Sequence, residues 1–176
     1  RVDIAGTSFV VPDITVHQGP AEAHLRTSSS ITAALSLMDH APFHVMSKQN
    51  RPVALAEGQA VVAAELGFAL KKELQTEDVT FDVTGQLSDV RSAVLVPGRV
   101  LSAKALDLTL DSESLRISGD GHLGGVAFNG GYTAALGPDA TGGQVEGSVT
   151  LNQAFADEFD LGLPPGSLSG SAVGQV

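Results

Sequence analysis

The stretch "LRISGDGHLGG", residues 115 to 125, contains Gly119-x-Gly121-x-x-Gly124. That is the spacing of a dinucleotide-binding turn. In such a turn the first glycine closes a bend after a strand, and the second lets the backbone approach a pyrophosphate. The last opens a helix whose N-terminal amides face the phosphates. The side-chain period argues against this chemistry. Leu115, Ile117, Gly119, Gly121 and Leu123 hold the odd positions, and Ser114, Arg116, Ser118, Asp120 and His122 the even ones. The alternation passes through the glycines unbroken, which is the period of a strand. Gly124-Gly125 then reads as a turn, and the chain resumes with Val126, Phe128, Gly130, Tyr132, Ala134 and Leu136 on one parity. The spacing predicts a long hairpin with glycine on its apolar face, and no phosphate cradle.

Other chemically capable groups fail on context. Asp39, His40 and His44 lie in "MDHAPFH". Two histidines four apart share a helix face and suit zinc, but Pro42 between them stops the helix. "GSLSG", residues 166 to 170, has Leu168 where a nucleophile elbow needs serine. Asp107, Asp111 and Glu113 carry calcium-type ligands without a ligand loop. Asp157, Glu158 and Asp160 read as the wet side of a helix. With no cysteine in the chain, disulfides, thiol catalysis and cysteine-zinc sites are excluded. No nucleophile, base and orienter stand together, so the sequence predicts no enzyme, catalytic residue, metal or cofactor.

The elements that carry these residues are mostly strands. Val79, Phe81, Val83, Gly85 and Leu87 alternate with Asp78, Thr80, Asp82, Thr84 and Gln86. Leu106, Leu108 and Leu110 alternate with Asp107, Thr109 and Asp111, and Val145, Gly147, Val149 and Leu151 with Gln144, Glu146, Ser148 and Thr150. Ala21 to Arg26 and Ala60 to Phe68 repeat the pattern. Such alternation predicts antiparallel strands with one solvated face. Two short helices interrupt them. One starts at a cap on Ser29 or Ser30 and ends before Pro42; the other starts at Asn152 and stops at Gly162 or Pro164. Aligning Gly58 with Gly170 superposes Gly-x-Ala-Val, which predicts a repeated strand-helix-strand unit. Gly85, Gly119, Gly121, Gly130 and Gly147 all fall on the apolar parity. Glycine inside a strand calls for a bend or the close approach of another group, here a curling sheet or a tightly packed helix.

The fold expected is therefore mainly β: a long, curved, groove-like antiparallel sheet with two short helices, forming one module over residues 1 to 176. The chain opens on Arg1, which reads as a piece of a longer or processed chain. Its net charge of −10 argues against nucleic acid and against docking on anionic lipid.

Three stretches in order carry a family resemblance: "ITAALSLMDHAPFHVMSKQN", "VTFDVTGQLSDVRSAVLVPGRVLSAKALDLTLDSESLRISGDGHLGGVAF" and "FADEFDLGLPPGSLSGSAVGQV". Together they resemble the AsmA-like superfamily and, within it, the YhdP-like proteins. The resemblance implies a periplasmic β-structure of Gram-negative bacteria, its parent chain held in the inner membrane by a helix absent from these residues. It implies a bent sheet that takes part in phospholipid transport towards the outer membrane, with no catalytic motif. The expected partners are phospholipid acyl chains and adjoining segments of the same parent chain. The apolar strand face gives the expected lipid contacts: Val79, Phe81, Val83, Leu106, Leu108, Leu110, Leu115, Ile117, Phe128, Tyr132, Val149 and Leu151. The rival expectation is a structural or assembly module whose apolar face is filled by the protein itself.

Overall fold

A computed structural model describes residues 2–13, 15, 19–40, 45–48, 50–73, 75, 78–136 and 142–175. The chain is mainly β. Among the described residues nine strands form one open antiparallel sheet in strictly sequential order: β1 (Val2–Val10), β2 (Pro20–Ser30), β3 (Glu57–Ala69), β4 (Val79–Ser92), β5 (Leu101–Asp111), β6 (Ser114–Leu123), β7 (Val126–Ala135), β8 (Gly143–Leu151) and β9 (Ala172–Gln175). Eight gaps of about 4.8 Å make the sheet roughly 38 Å wide. β4, with 14 residues, is long for a globular strand.

Three helices punctuate the meander among the described residues. α1 (Ile31–Met38) and the single turn α2 (Val45–Lys48) connect β2 to β3, and α3 (Gln153–Glu158) connects β8 to β9. Of the two expected caps for α1 the structure uses Ser30, whose hydroxyl accepts from Ala33 N–H at 3.2 Å. Asn152 caps α3 in the same way, accepting from Phe155 N–H at 3.1 Å. Each cap satisfies one of the amides that a helix start leaves unpaired. α3 ends at Glu158, short of the expected stops at Gly162 and Pro164. Phe159 closes it by returning its N–H to Phe155, and Asp160 takes a left-handed φ of 49°. The expected stop of α1, Pro42, lies outside the described residues, as does His44.

The repeated unit is visible in the register. Ser29 pairs with Ala60, and Leu151 pairs with Ala172. Ser29 and Leu151 each sit one residue before a helix cap. Gly58 and Gly170, each two residues before the paired alanine of the returning strand, both have positive φ, at 128° and 106°.

One irregularity changes the face that residues occupy. Asp89 has φ 51°, and the β3–β4 register shifts between Glu57 and Gln59. The β5–β6 register shifts between Ser102 and Ala105. These bulges reverse parity in both strands, so that Val90 and Ala103, directly paired, are buried while Asp89 and Lys104 are exposed. The core lies beyond that reversal: Ile31 of α1 packs with Ala60, Val90, Ala103 and Leu106, flanked by Ala34, Leu35, Leu87 and Leu101.

Candidate functional site: a half-covered apolar face

Because pairing from β2 to β8 is unbroken away from the bulges, alternate residues line up in rows. One row runs Leu25, Ala64, Val83, Leu110, Leu115, Ala134, Gly143. The next runs Thr27, Val62, Gly85, Leu108, Ile117, Tyr132, Val145. A third runs Ser29, Ala60, Leu87, Leu106, Gly119, Gly130, Gly147. The expected contact residues fall together on this one face, joined by Phe128 opposite Val149, by Phe81 opposite Leu66 and by Val79 opposite Phe68. Leu151 stands two residues beyond Val149 on the same parity of β8.

Coverage of this face is uneven. Of the expected contacts only Val79 and Leu106 are buried, each at 8% relative exposure. Phe81, Val83, Leu108, Leu110, Leu115, Ile117, Phe128, Val149 and Leu151 are partly exposed, and Tyr132 is 39% exposed. At the edge of the middle row Val145 is 70% exposed. All three helices and the 93–100 loop leave the sheet at one end, where β2, β4, β6 and β8 finish. α1 packs there on β2 and β3, and α3 on β7 and β8. The rows farther from that end have no helix over them among the described residues.

Glycine keeps this face shallow. A methyl on Gly130 would stand 2.7 Å from the Glu146 carbonyl and 3.1 Å from Gly147 Cα. A methyl on Gly147 would stand 2.8 Å from Gly130 Cα. The ring of Phe128 lies over Gly121, where a methyl would meet its Cζ at 2.6 Å. The ring of Tyr132 covers Gly143 in the same way. The nearest neighbours of Gly85, Gly119, Gly121, Gly130 and Gly147 are strand atoms and the Phe128 ring, with no helix atom among them, so the tightly packed helix expected as one cause is not what these glycines accommodate. Aromatic rings laid over bare glycine restore packing that a strand otherwise loses there.

Gly124 and Gly125 form the β6–β7 turn, with Gly124 at φ 58°. They receive a side chain, not a phosphate. The carboxylate of Glu158 sits against Gly124 and accepts from Gly125 N–H at 3.0 Å. Its other oxygen lies 3.2 Å from Arg99 Nε. The Arg99 Nη2 donates to the Glu158 carbonyl at 2.9 Å, and its guanidinium lies 4.5 Å from the centre of the Phe159 ring. The Nε–H is not aimed at the carboxylate, so the pair is held by charge and by the Nη2 bond. This corrects the expectation that Glu158 lies on a wet helix side. A turn without Cβ atoms leaves room and a free amide for a carboxylate, and Arg99 offsets its charge. The sequence offered one cue to the clasp, an arginine directly after the Pro97-Gly98 turn.

Of the remaining candidates, Asp39 and Asp111 are engaged by backbone amides. Asp39 accepts from Met46 N–H at 3.0 Å and Ser47 N–H at 2.7 Å, tying α1 to α2, while His40 is exposed. "GSLSG" lies in an exposed loop. Asp111 accepts from the N–H groups of Glu113 and Ser114, both at 2.7 Å, across the β5–β6 hairpin. Those bonds hold its carboxyl below the usual value, the Glu113 amide most. A shallow depression of about 320 Å³ lies over the polar strand face, lined by Glu22, His24, Glu65, Thr80 and Asp82. His24 Nδ1 is 3.4 Å from Glu65 there. No group of metal-ligating side chains occurs among the described residues, and no described helix is long and apolar enough to cross a membrane. Comparison with family models, with curated proteins and with solved structures finds no match.

Proposed function

We propose that this module is a non-enzymatic lipid-handling β-groove that takes up phospholipid acyl chains on its apolar face. In this reading it belongs to an AsmA-like, YhdP-like periplasmic protein and takes part in phospholipid transport between inner and outer membranes. The carrying observation is the uneven cover. One face of the sheet gathers Leu108, Leu110, Leu115, Ile117, Phe128 and Val149, and none of them is buried. An apolar sheet face needs a covering layer, and a large uncovered patch marks a binding surface. The helices supply that layer at one end only. Burial of apolar surface is worth about 25 cal/mol per Å², and each acyl methylene about 0.8 kcal/mol. Ten buried methylenes then supply about 8 kcal/mol with no charged clamp for the head group, which accords with a face that carries no ion pair among its described residues. The rival reading, a self-filled core, accounts for the helical end around Ile31 and Leu106 and leaves the remaining rows without cover.

The test is uptake. Delipidated protein is incubated with phospholipid vesicles, separated by flotation and extracted. Retained phospholipid, lost when Leu108 and Ile117 are both changed to aspartate in a protein that still folds, supports the proposal. A wild-type protein that emerges lipid-free and also fails to bind a fluorescent fatty acid refutes it.

A further inference from the structure

The two helical covers are held in different ways. α1 is rooted in the core through Ile31, with Ala34 and Leu35 packed beside it. α3 buries only Ala156, and residues 157 to 175 are otherwise exposed or half-exposed. Besides the packing of Ala156, it is held by the Glu158 carboxylate in the Gly124-Gly125 notch, the Arg99 guanidinium on the Glu158 carboxylate and carbonyl, and the same guanidinium over Phe159. On its C-terminal side Gly162, Gly166 and Gly170 all have positive φ and open space where a side chain would stand. Segments with few buried apolar contacts open locally at the lowest free energy. β7 and β8, on which α3 packs, carry Phe128 and Val149 on the apolar face.

We propose that α3 is a releasable flap over one end of the apolar face, latched by Arg99 and Glu158 to the β6–β7 turn, and that its opening governs passage of apolar ligand at that end. Asn152 is the fixed side, since its cap holds the first turn to β8. The glycine-marked segment 162–170 is the side that gives. The latch concerns this chain's own contacts. Its bearing on ligand passage rests on the lipid-groove reading above.

Hydrogen exchange in the whole chain tests the latch without any ligand. The reporters are the amides of Ala156, Phe159 and Leu161, which donate to Asn152, Phe155 and Ala156 carbonyls at 2.9 to 3.1 Å. Glu158→Ala and Arg99→Met are each expected to speed their exchange at least tenfold while β4 and β5 amides are unchanged. Alanine is the better helix former, so faster exchange in Glu158→Ala reports the lost contact and not lost propensity. Asp157→Ala, which removes a carboxylate whose partner is Gln153 on the same helix, is expected to stay within about twofold of wild type. Unchanged exchange in both latch variants overturns the proposal. In a second arm, stopped-flow dissociation of a fluorescent fatty acid is expected to be several-fold faster in Glu158→Ala, at unchanged stoichiometry. An unchanged dissociation rate beside accelerated exchange rules out a role for the flap at the groove. A wild-type protein that takes up no fatty acid removes the lipid reading, and the exchange arm still decides the latch.

Discussion

Leu106 and Leu108 lie two residues apart on β5 and point to the same face, yet they do different work. Leu106 is 8% exposed and packs in the cluster with Ile31, Ala60, Val90 and Ala103. Leu108 stands between Gly85 and Ile117 and is only partly buried. Truncating a buried leucine to alanine costs about 2–5 kcal/mol, because a cavity is added to the lost transfer energy. A half-exposed leucine forfeits a fraction of the transfer energy and leaves no cavity, so roughly 1 kcal/mol is expected. In a domain of this size 1 kcal/mol moves Tm by about 2–4 °C. Leu106→Ala should therefore lower the melting temperature of delipidated protein by about 4–20 °C, and Leu108→Ala by about 2–4 °C. With fatty acid present the order of effects reverses. Leu108→Ala should weaken ligand binding several-fold, and Leu106→Ala should leave affinity near wild type once the protein is folded. The assay is paired thermal melts and fluorescence titrations on the two variants. Equal destabilisation of both in the delipidated state would refute the reasoning, because it would mean that the Leu108 row is closed core.

On the polar face Glu65, Asp82 and Asp111 stand directly opposite one another across three strands. Like charges so placed repel, so Asp82→Asn is expected to stabilise the protein by about 0.5 kcal/mol at low salt, with the gain shrinking in 0.5 M salt, read by urea denaturation. The Glu113 and Ser114 amides hold the Asp111 carboxyl below the ordinary aspartate value of about 3.8. A depressed carboxylate adds stability above its unfolded pKa and loses it as pH falls through the folded one. The stability gap between wild type and Asp111→Asn should therefore be full at neutral pH and close as pH drops below about 3.8, in chemical melts taken across that range. Gly121→Ala places a methyl 2.6 Å from Phe128 Cζ and 2.7 Å from the Ser102 carbonyl. Overpacking of this kind costs about 1–3 kcal/mol, to be read as a drop in denaturation midpoint at constant slope.

Much of the fold was legible because its physics is local. Alternation in β3, β4, β6, β7 and β8 forces one apolar face in antiparallel strands, and the caps at Ser30 and Asn152 follow from side-chain oxygens beside free amides. The failed phosphate motif was legible for the same reason, since the period continues through Gly119 and Gly121. What was hidden depends on tertiary contact. β1 pairs with β2 through a shifted register between Ala5 and Ser8, and its alternation stood out less than its neighbours'. The parity reversal at Asp89 needs two strands to bulge together, so Val90 and Ala103 could not be placed inward from their own segments. Glu158 looked like one more exposed carboxylate until the sheet brought Arg99 and the Gly124-Gly125 turn to it across 59 and 33 residues of chain. The partial cover of the apolar face was likewise beyond the sequence, which shows which residues share a face and not how far two short helices reach over it.

Native mass spectrometry of the freshly purified, never-delipidated chain asks whether the uncovered rows hold lipid. A lipid-handling face should give a population carrying non-covalent adducts of phospholipid mass that dissociate as intact lipid on collisional activation, and that disappear when Leu108 and Ile117 are both replaced by aspartate. A single adduct-free species, unchanged after incubation with phospholipid vesicles, would contradict it.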